Sequence, residues 1–342
     1  MKNLRCLLFM SLIIPGFLAL ANLESPNGQS NADILSKLED ILKQFEQAQQ
    51  PAEDQMLIES GFYRFVEGVW EDVDDNFIPG KPLIVLVHGH GIADEEGVPL
   101  LTAGIEALES MSEIANQVVD SHRFAGVLGF NYDLRKDIKE VGDELADFLQ
   151  SLGENREIIL IAHGQGAIVS RWALEQTEDA KTNVSHFISI AAPLDGFVVS
   201  DSVKEMLQNP LVSLFLGSSA NYLQSLSQLF VDSELMQDLN DRQEETKIAT
   251  TYHIIQGDLS DSKPTIVTQY LFVTFDAEGN QITTANDGIV PNVSSERLDQ
   301  ILPASEIVAI PSFGISHRAF LETAFVEEQL MPYLDSLIKP KT

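Results

Sequence analysis

From residue 80 onward the chain alternates short apolar runs with longer segments in which apolar residues recur every three or four positions. Leu83–Val87 (LIVLV), Phe124–Phe130 (FAGVLGF), Ile158–Ala162 (IILIA), His186–Ile190 (HFISI), Tyr252–Ile255 (YHII) and Ile307–Ile310 (IVAI) read as buried strands. Between them, Ile138–Leu152 places Val141, Leu145, Phe148 and Leu152 at helical spacing. Strand and helix alternating in this way predict an α/β fold, a mostly parallel sheet flanked by helices on both faces. Ahead of it, residues 31–50 form an amphipathic stripe (Ile34, Leu38, Ile41, Phe45) that Asn31 can cap and Pro51 stops. Residues 62–78 mix aromatics with acids and suit an edge hairpin. These segments make an N-terminal arm and hairpin over 22–79, and a main domain over 80–342.

Two stretches break the alternation. Residues 197–247 are too long for one crossover, and Met206, Leu211, Leu214, Phe215, Leu223, Leu226, Leu229, Phe230, Leu235 and Leu239 fit two or three short amphipathic helices. They predict a helical cap insertion. Residues 265–284 alternate around Glu278-Gly279-Asn280 and predict a hairpin.

The first residues change the picture of where the chain works. Lys2 and Arg5 precede an apolar run from Leu7 to Leu20 that ends in Ala19-Leu20-Ala21. Basic start, apolar core and small-x-small end are the parts of a signal peptide over 1–21, cut after Ala21, and imply a secreted or periplasmic protein. Cys6, the single cysteine, lies inside that leader, so the exported chain would be held by packing without disulfides. The balance of 21 basic against 52 acidic residues gives a net charge of −31. Such a surface repels nucleic acid and anionic membranes, and neither is expected as a partner. The acids are spread along the chain, as on a solvated surface.

The chemistry concentrates in Ile158–Ser170, IILIAHGQGAIVS. A buried strand runs into a glycine-rich turn and then a helix, the setting of a nucleophile elbow. Other segments agree with it in order. Val87-His88-Gly89-His90-Gly91 follows the first buried strand, and Ser189-Ile190-Ala191-Ala192-Pro193-Leu194-Asp195-Gly196 follows a later one. Asn286-Asp287-Gly288-Ile289-Val290-Pro291 forms a loop, and Ser316-His317 follows the last strand. Together these resemble the α/β-hydrolase superfamily, in particular its lipase and esterase members, over about residues 80–335. In that family the elbow reads G-x-S-x-G. Here the matching positions are Ala162, His163, Gly164, Gln165 and Gly166, with glycine where the nucleophilic serine stands.

The resemblance implies a catalytic set of Gly164 at the nucleophile position, Asp287 as the acid and His317 as the base. It implies an oxyanion hole from the backbone amides of His90 and Gln165. Asp258 and Asp195 also follow strands and compete with Asp287 on position alone, while His88 and His163 look architectural. No metal or cofactor is implied. Glycine offers no atom to attack a carbonyl, so no acyl-enzyme can form at 164. Ser170 lies too far along the helix to replace it, and Gln165 is a poor nucleophile. The expected function is therefore a carboxylic-ester hydrolase scaffold acting as a pseudoenzyme that binds a hydrophobic or acyl ester. The alternative is weak hydrolysis by a water that His317 activates. Were Gly164 to stand for a native serine, the same set would read as an ordinary esterase or lipase.

Overall fold

The computed structural model describes residues 60–338 apart from 74–76, 90–104, 154–155, 177–182, 200–203, 205–224, 242–249, 260–273, 276–280, 283–285, 288–289, 291, 293–306 and 311–312. The expected leader at 1–21, the expected arm helix at 31–50, His90 and most of the expected cap lie outside the described residues. The strands in chain order are β1 (Gly61–Val66), β2 (Val69–Asp72), β3 (Leu83–Val87), β4 (Val127–Asn131), β5 (Ile158–His163), β6 (Val184–Ile190), β7 (Thr251–Ile255), β8 (Thr274–Phe275), β9 (Gln281–Ile282) and β10 (Ile307–Ala309). The helices are α1 (Ile105–Glu109), α2 (Ser112–Ser121), α3 (Ile138–Ser151), α4 (Gln165–Glu175), α5 (Glu234–Asn240) and α6 (Met331–Ile338).

Eight strands form one sheet in the order β10-β7-β6-β5-β3-β4-β1-β2, parallel from β10 to β4. The hairpin β1–β2 adds the antiparallel part. It turns at Glu67-Gly68, both with positive φ, which is the backbone a two-residue hairpin turn needs. A separate antiparallel pair, Thr274 with Ile282 and Phe275 with Gln281, agrees with the hairpin expected over 265–284.

Side chains on each central strand alternate between two cores, as the pleat requires. Leu83, Val85 and Val87 join Leu160 and Ala162 on one face, under Val141 and Leu145 of α3 and Ile168 of α4. Ile84, Leu86, Ile159 and Ile161 face the other way, onto Ile114 and Val118 of α2 and Leu334 of α6. Each such aliphatic side chain stabilises the fold by roughly 1.5–3 kcal/mol. Continuous apolar runs were therefore the right signal for β3 and β5, which are buried along their whole length.

Two expectations need correcting. Ile307–Ile310 is not a buried strand: among the described residues β10 pairs only with β7, and Val308 is 39% exposed. An edge strand lacks the second neighbour that would cover it. The strand expected over 124–130 begins at Val127, because the amide of Ala125 bonds instead to the carbonyl of Pro82.

Polar groups hold the helices and strands together where the apolar pattern says nothing. Arg171 of α4 is wholly buried and pairs with Glu175 at 2.8 Å. It also donates to the carbonyls of Leu194 and Leu239 and to Asn240 Oδ1, while the Tyr252 hydroxyl donates to Glu175. One guanidinium thus joins α4, the loop after β6 and the end of α5. Burial opposes its charge, but the Glu175 carboxylate outweighs that and holds it protonated. On the opposite face, His253 Nε2 lies 2.9 Å from His186 Nδ1, and His253 Nδ1 lies 2.6 Å from the Tyr333 hydroxyl.

Replacing Arg171 with Ala should destabilise the fold by about 3–5 kcal/mol, since it strands the Glu175 charge in the interior. Urea unfolding of the two proteins measures it, and a loss under 1 kcal/mol would contradict the network's role. His253 gives a pH prediction. Burial, and then the neighbouring His186, push its pKa down to about 4. The unfolded chain binds that proton near pH 6.5, so stability should fall as pH drops from about 6.5 towards 4. Below the folded value the loss is complete, about 3 kcal/mol. His253→Asn should flatten that part of the pH profile, whatever its effect on stability at neutral pH.

Candidate active site

The strand β5 ends at His163 and α4 begins at Gln165, leaving a single residue for the turn. Gly164 makes it with φ 53° and ψ −123°, a backbone that glycine adopts without the penalty of a Cβ. Its amide bonds to the carbonyl of Ile190 and its carbonyl accepts from Ala167, so the turn is tied to β6 and to the helix it starts. The elbow also presses on the loop after β3. A Cβ on Gly166 would lie 2.4 Å from the carbonyl oxygen of His88 and 2.5 Å from that of Val87. A Cβ on Gly89 would lie 2.5 Å from the carbonyl oxygen of His163. These two glycines are therefore required by contact. Gly164 is different: among the described residues a Cβ there would meet nothing closer than His317 Nε2 at 3.5 Å.

His317 reaches the elbow from the far end of the chain. Its Nδ1 lies 2.7 Å from Asp287 Oδ2, and its amide donates to the Asp287 carbonyl at 2.8 Å. The other carboxylate oxygen of Asp287 accepts from the amide of Val290 at 2.7 Å. Asp287 is 1% exposed and His317 7%. The carboxylate holds the imidazole proton on Nδ1 and leaves Nε2, with its lone pair, facing Gly164. Gly164, Asp287 and His317, spread over some 150 residues of sequence, are thus brought together. The amide of Asp258 bonds to the carbonyl of Phe313, and the carboxylate at His317 is that of Asp287. Asp195 lies beside the Arg171 network, with its carbonyl near Asn240.

The other histidines of the motif are structural. His163 Nε2 donates to the carbonyl of His317 at 3.1 Å. Burial, and then the nearby His317, keep its pKa well below the usual histidine range, which suits a neutral donor. His88 stacks on Tyr132 at 4.4 Å, accepts from the Tyr132 amide at Nε2 and bonds through Nδ1 to the carbonyl of Gly89. Ser170 is bonded back to the carbonyl of Gly166 and faces the helix interior. The amide of Gln165 heads α4, where backbone donors have no partner within the helix. Its side chain is buried and donates to Ser225 Oγ at 3.1 Å. His90, the other expected oxyanion donor, lies outside the described residues.

Sequence reasoning missed two contributors. His163 orients His317 through the main chain, a link that needs the sheet to exist. Gly257 lets the Asp287 loop close in, because a Cβ there would lie 2.6 Å from Asp287 Cβ. Its signal was in the sequence as Gln256-Gly257-Asp258, where the aspartate drew attention and the glycine mattered.

Comparison with known proteins fits this geometry. Residues 83–253, half of the chain, match the family model described as palmitoyl protein thioesterase. No curated protein matches by sequence. A Bacillus licheniformis lipase in its propeptide form superposes with a TM-score of 0.50 at 18% identity, over 83% of this chain and 54% of that one. Its mature form gives 0.49 at 18% identity, over 81% and 98%. Aspergillus fumigatus lipase B gives 0.47 at 14% identity, over 78% and 53%. The fold is that of the α/β-hydrolases, and the scaffold is lipase-, esterase- and thioesterase-like.

The glycine contacts predict unequal tolerance. Gly166→Ala should cost about 3 kcal/mol or more, since overpacking here meets rigid main chain on both sides. Gly164→Ala should cost only about 1–2 kcal/mol, the strain of a Cβ at positive φ. Thermal or urea unfolding of both variants checks the order, and equal losses would refute it.

Proposed function

The chain belongs to the palmitoyl protein thioesterase family of α/β-hydrolases, and from that premise we propose that it binds acyl esters or thioesters without forming an acyl-enzyme at its elbow. The observation that carries this is the aim of His317: Nε2 stands 3.5 Å from where a Cβ of residue 164 would be, with Asp287 on the other nitrogen. In this proposal Gly164 occupies the nucleophile position, His317 is the base and Asp287 its orienting acid. The amides of Gln165 and His90 form the oxyanion hole that would hold the carbonyl oxygen of the acyl group. The ligand is an acyl chain joined to an alcohol or thiol leaving group. The protein acts outside the cytoplasm, delivered by the leader at 1–21, and N-terminal sequencing of the exported chain should find Asn22 first.

A second reading has an observation in its favour. The Asp287–His317 pair is intact and buried, as a base needs to be if it is to activate water. Oxyanion hole and binding alone retain about 10³–10⁴-fold catalysis over water when a triad member is lost. Slow hydrolysis by the unmodified protein is the result this reading requires.

Gly164→Ser is the decisive variant. The serine hydroxyl would stand beside His317 Nε2, and strong hydrolysis of short and long p-nitrophenyl esters should appear. Adding His317→Ala should reduce it by about 10⁴-fold or more. A folded Gly164→Ser protein that stays inactive on every ester and thioester would overturn the site assignment.

A further inference from the structure

The core under α3 and α4 is not closed at the antiparallel edge of the sheet. Phe62 of β1, Phe77 ahead of β3, and Phe148 and Leu152 at the end of α3 pack against that core but are each only half-buried. They form a strip. The Phe62 ring lies 5.7 Å from Phe130 and 5.2 Å from Phe148, while the Phe77 ring covers Gly126, where a Cβ would meet it at 3.2 Å. From Gly126 to Phe130 is about 13 Å along the strand, which sets the length of the strip. Its Phe77 end is basic: the guanidiniums of Arg64 and Arg156 stand 5.4 and 4.5 Å from the centre of the Phe77 ring. In a chain of net charge −31, two arginines on one aromatic ring are a local exception.

We propose that this strip is the docking surface for the chain's own N-terminal segment, residues 31–50, bound as an amphipathic helix. Residues 22–59 lead into β1, whose Gly61 pairs with Asn131 at the Phe62 end of the strip. Ile34, Leu38, Ile41 and Phe45 make one apolar stripe on the segment. In a helix that stripe is about 16 Å long, close to the length of the strip. The connection at 51–59 can span up to about 30 Å, enough to lay the helix alongside. Charge sets its direction. Asp33, Glu39 and Asp40 fall in the first half of the segment, and Glu46 alone in the second. The helix therefore lies with Ile34 at Phe77, its acids beside Arg64 and Arg156, and with Phe45 at Phe62. A helix of this kind takes most of its stability from packing an apolar face, and the strip supplies that face with a partner. Docked there, the segment closes the core at the edge that α3 leaves half-covered.

Hydrogen exchange of the whole chain, read by mass spectrometry on peptides from 31–50, tests the proposal. These amides should exchange about 100-fold more slowly than those of a synthetic peptide of residues 22–59. Leu38→Glu with Ile41→Glu puts charge on the stripe and should return exchange nearly to the peptide rate. Leu152→Glu and Arg156→Glu, both on the strip, should each speed exchange of 31–50 by about 10-fold or more. Adding Glu39→Arg to Arg156→Glu should restore part of the protection, since the pair of charges is then reversed. Peptides from β5 and α4 are followed in the same samples, so a variant that has unfolded is recognised. Arg156→Glu carries the test should Leu152→Glu fail to fold. Exchange of 31–50 at the peptide rate in the unmodified chain overturns the proposal. Protection that survives both strip variants overturns it too, because the segment then packs elsewhere. So does protection that appears only as protein concentration rises, which assigns the strip to a second copy of the chain.

Discussion

The structure depends on one close approach: the main chain after β5 lies against the main chain after β3. The two strands are parallel neighbours, Leu83 opposite Ile158 through Val87 opposite Ala162, so their ends emerge side by side. Gly166 and Gly89 then let the turns touch carbonyl oxygens where any Cβ would collide. That contact sets where α4 begins, and so where the amides at its start point. It also fixes His88 and Gly89 against the elbow. The fold on both sides of the sheet can be seen as support for this junction, with aliphatic cores above and below the same two strands.

The second half of the site arrives by a longer route. β6 and β7 extend the parallel sheet beyond β5, and the loops after β7 and β10 carry Asp287 and His317 back to the elbow. Gly257 at the end of β7 admits the aspartate loop, and the His163 ring holds the carbonyl of His317. His163 is therefore a positioning residue, kept neutral by burial. The polar interior is divided in function: Arg171 and Glu175 fasten α4 from below, while Asp287 and His317 face the turn above it.

A hydrolase elbow with serine stores backbone strain at the residue that reacts. Here the positive φ at the elbow is held by glycine, which adopts it without that strain.

Much of this was legible in the chain itself, because the signals are local. Burial on both faces forces a continuous apolar run, so β3 and β5 could be read directly; a glycine-rich turn set between such a strand and a helix marks the elbow, so it could be read too. The order of Gly164, Asp287 and His317 needed only the recurrence of family segments along the sequence. Local signals fail where the cause is distant. The apolar run at 307–310 could not reveal that it has a neighbour on one side only. Asp287 and Asp258 each sit in a loop beyond a strand, and only the folded chain decides which carboxylate meets the imidazole. Arg171 looks like an ordinary helix residue until β6, β7 and α5 close around it. Sequence determines what each segment prefers, since propensity and turn chemistry act over a few residues. Which groups then share a proton or a charge is decided by packing, because those partners are separated by up to 150 residues and meet only when the sheet has formed.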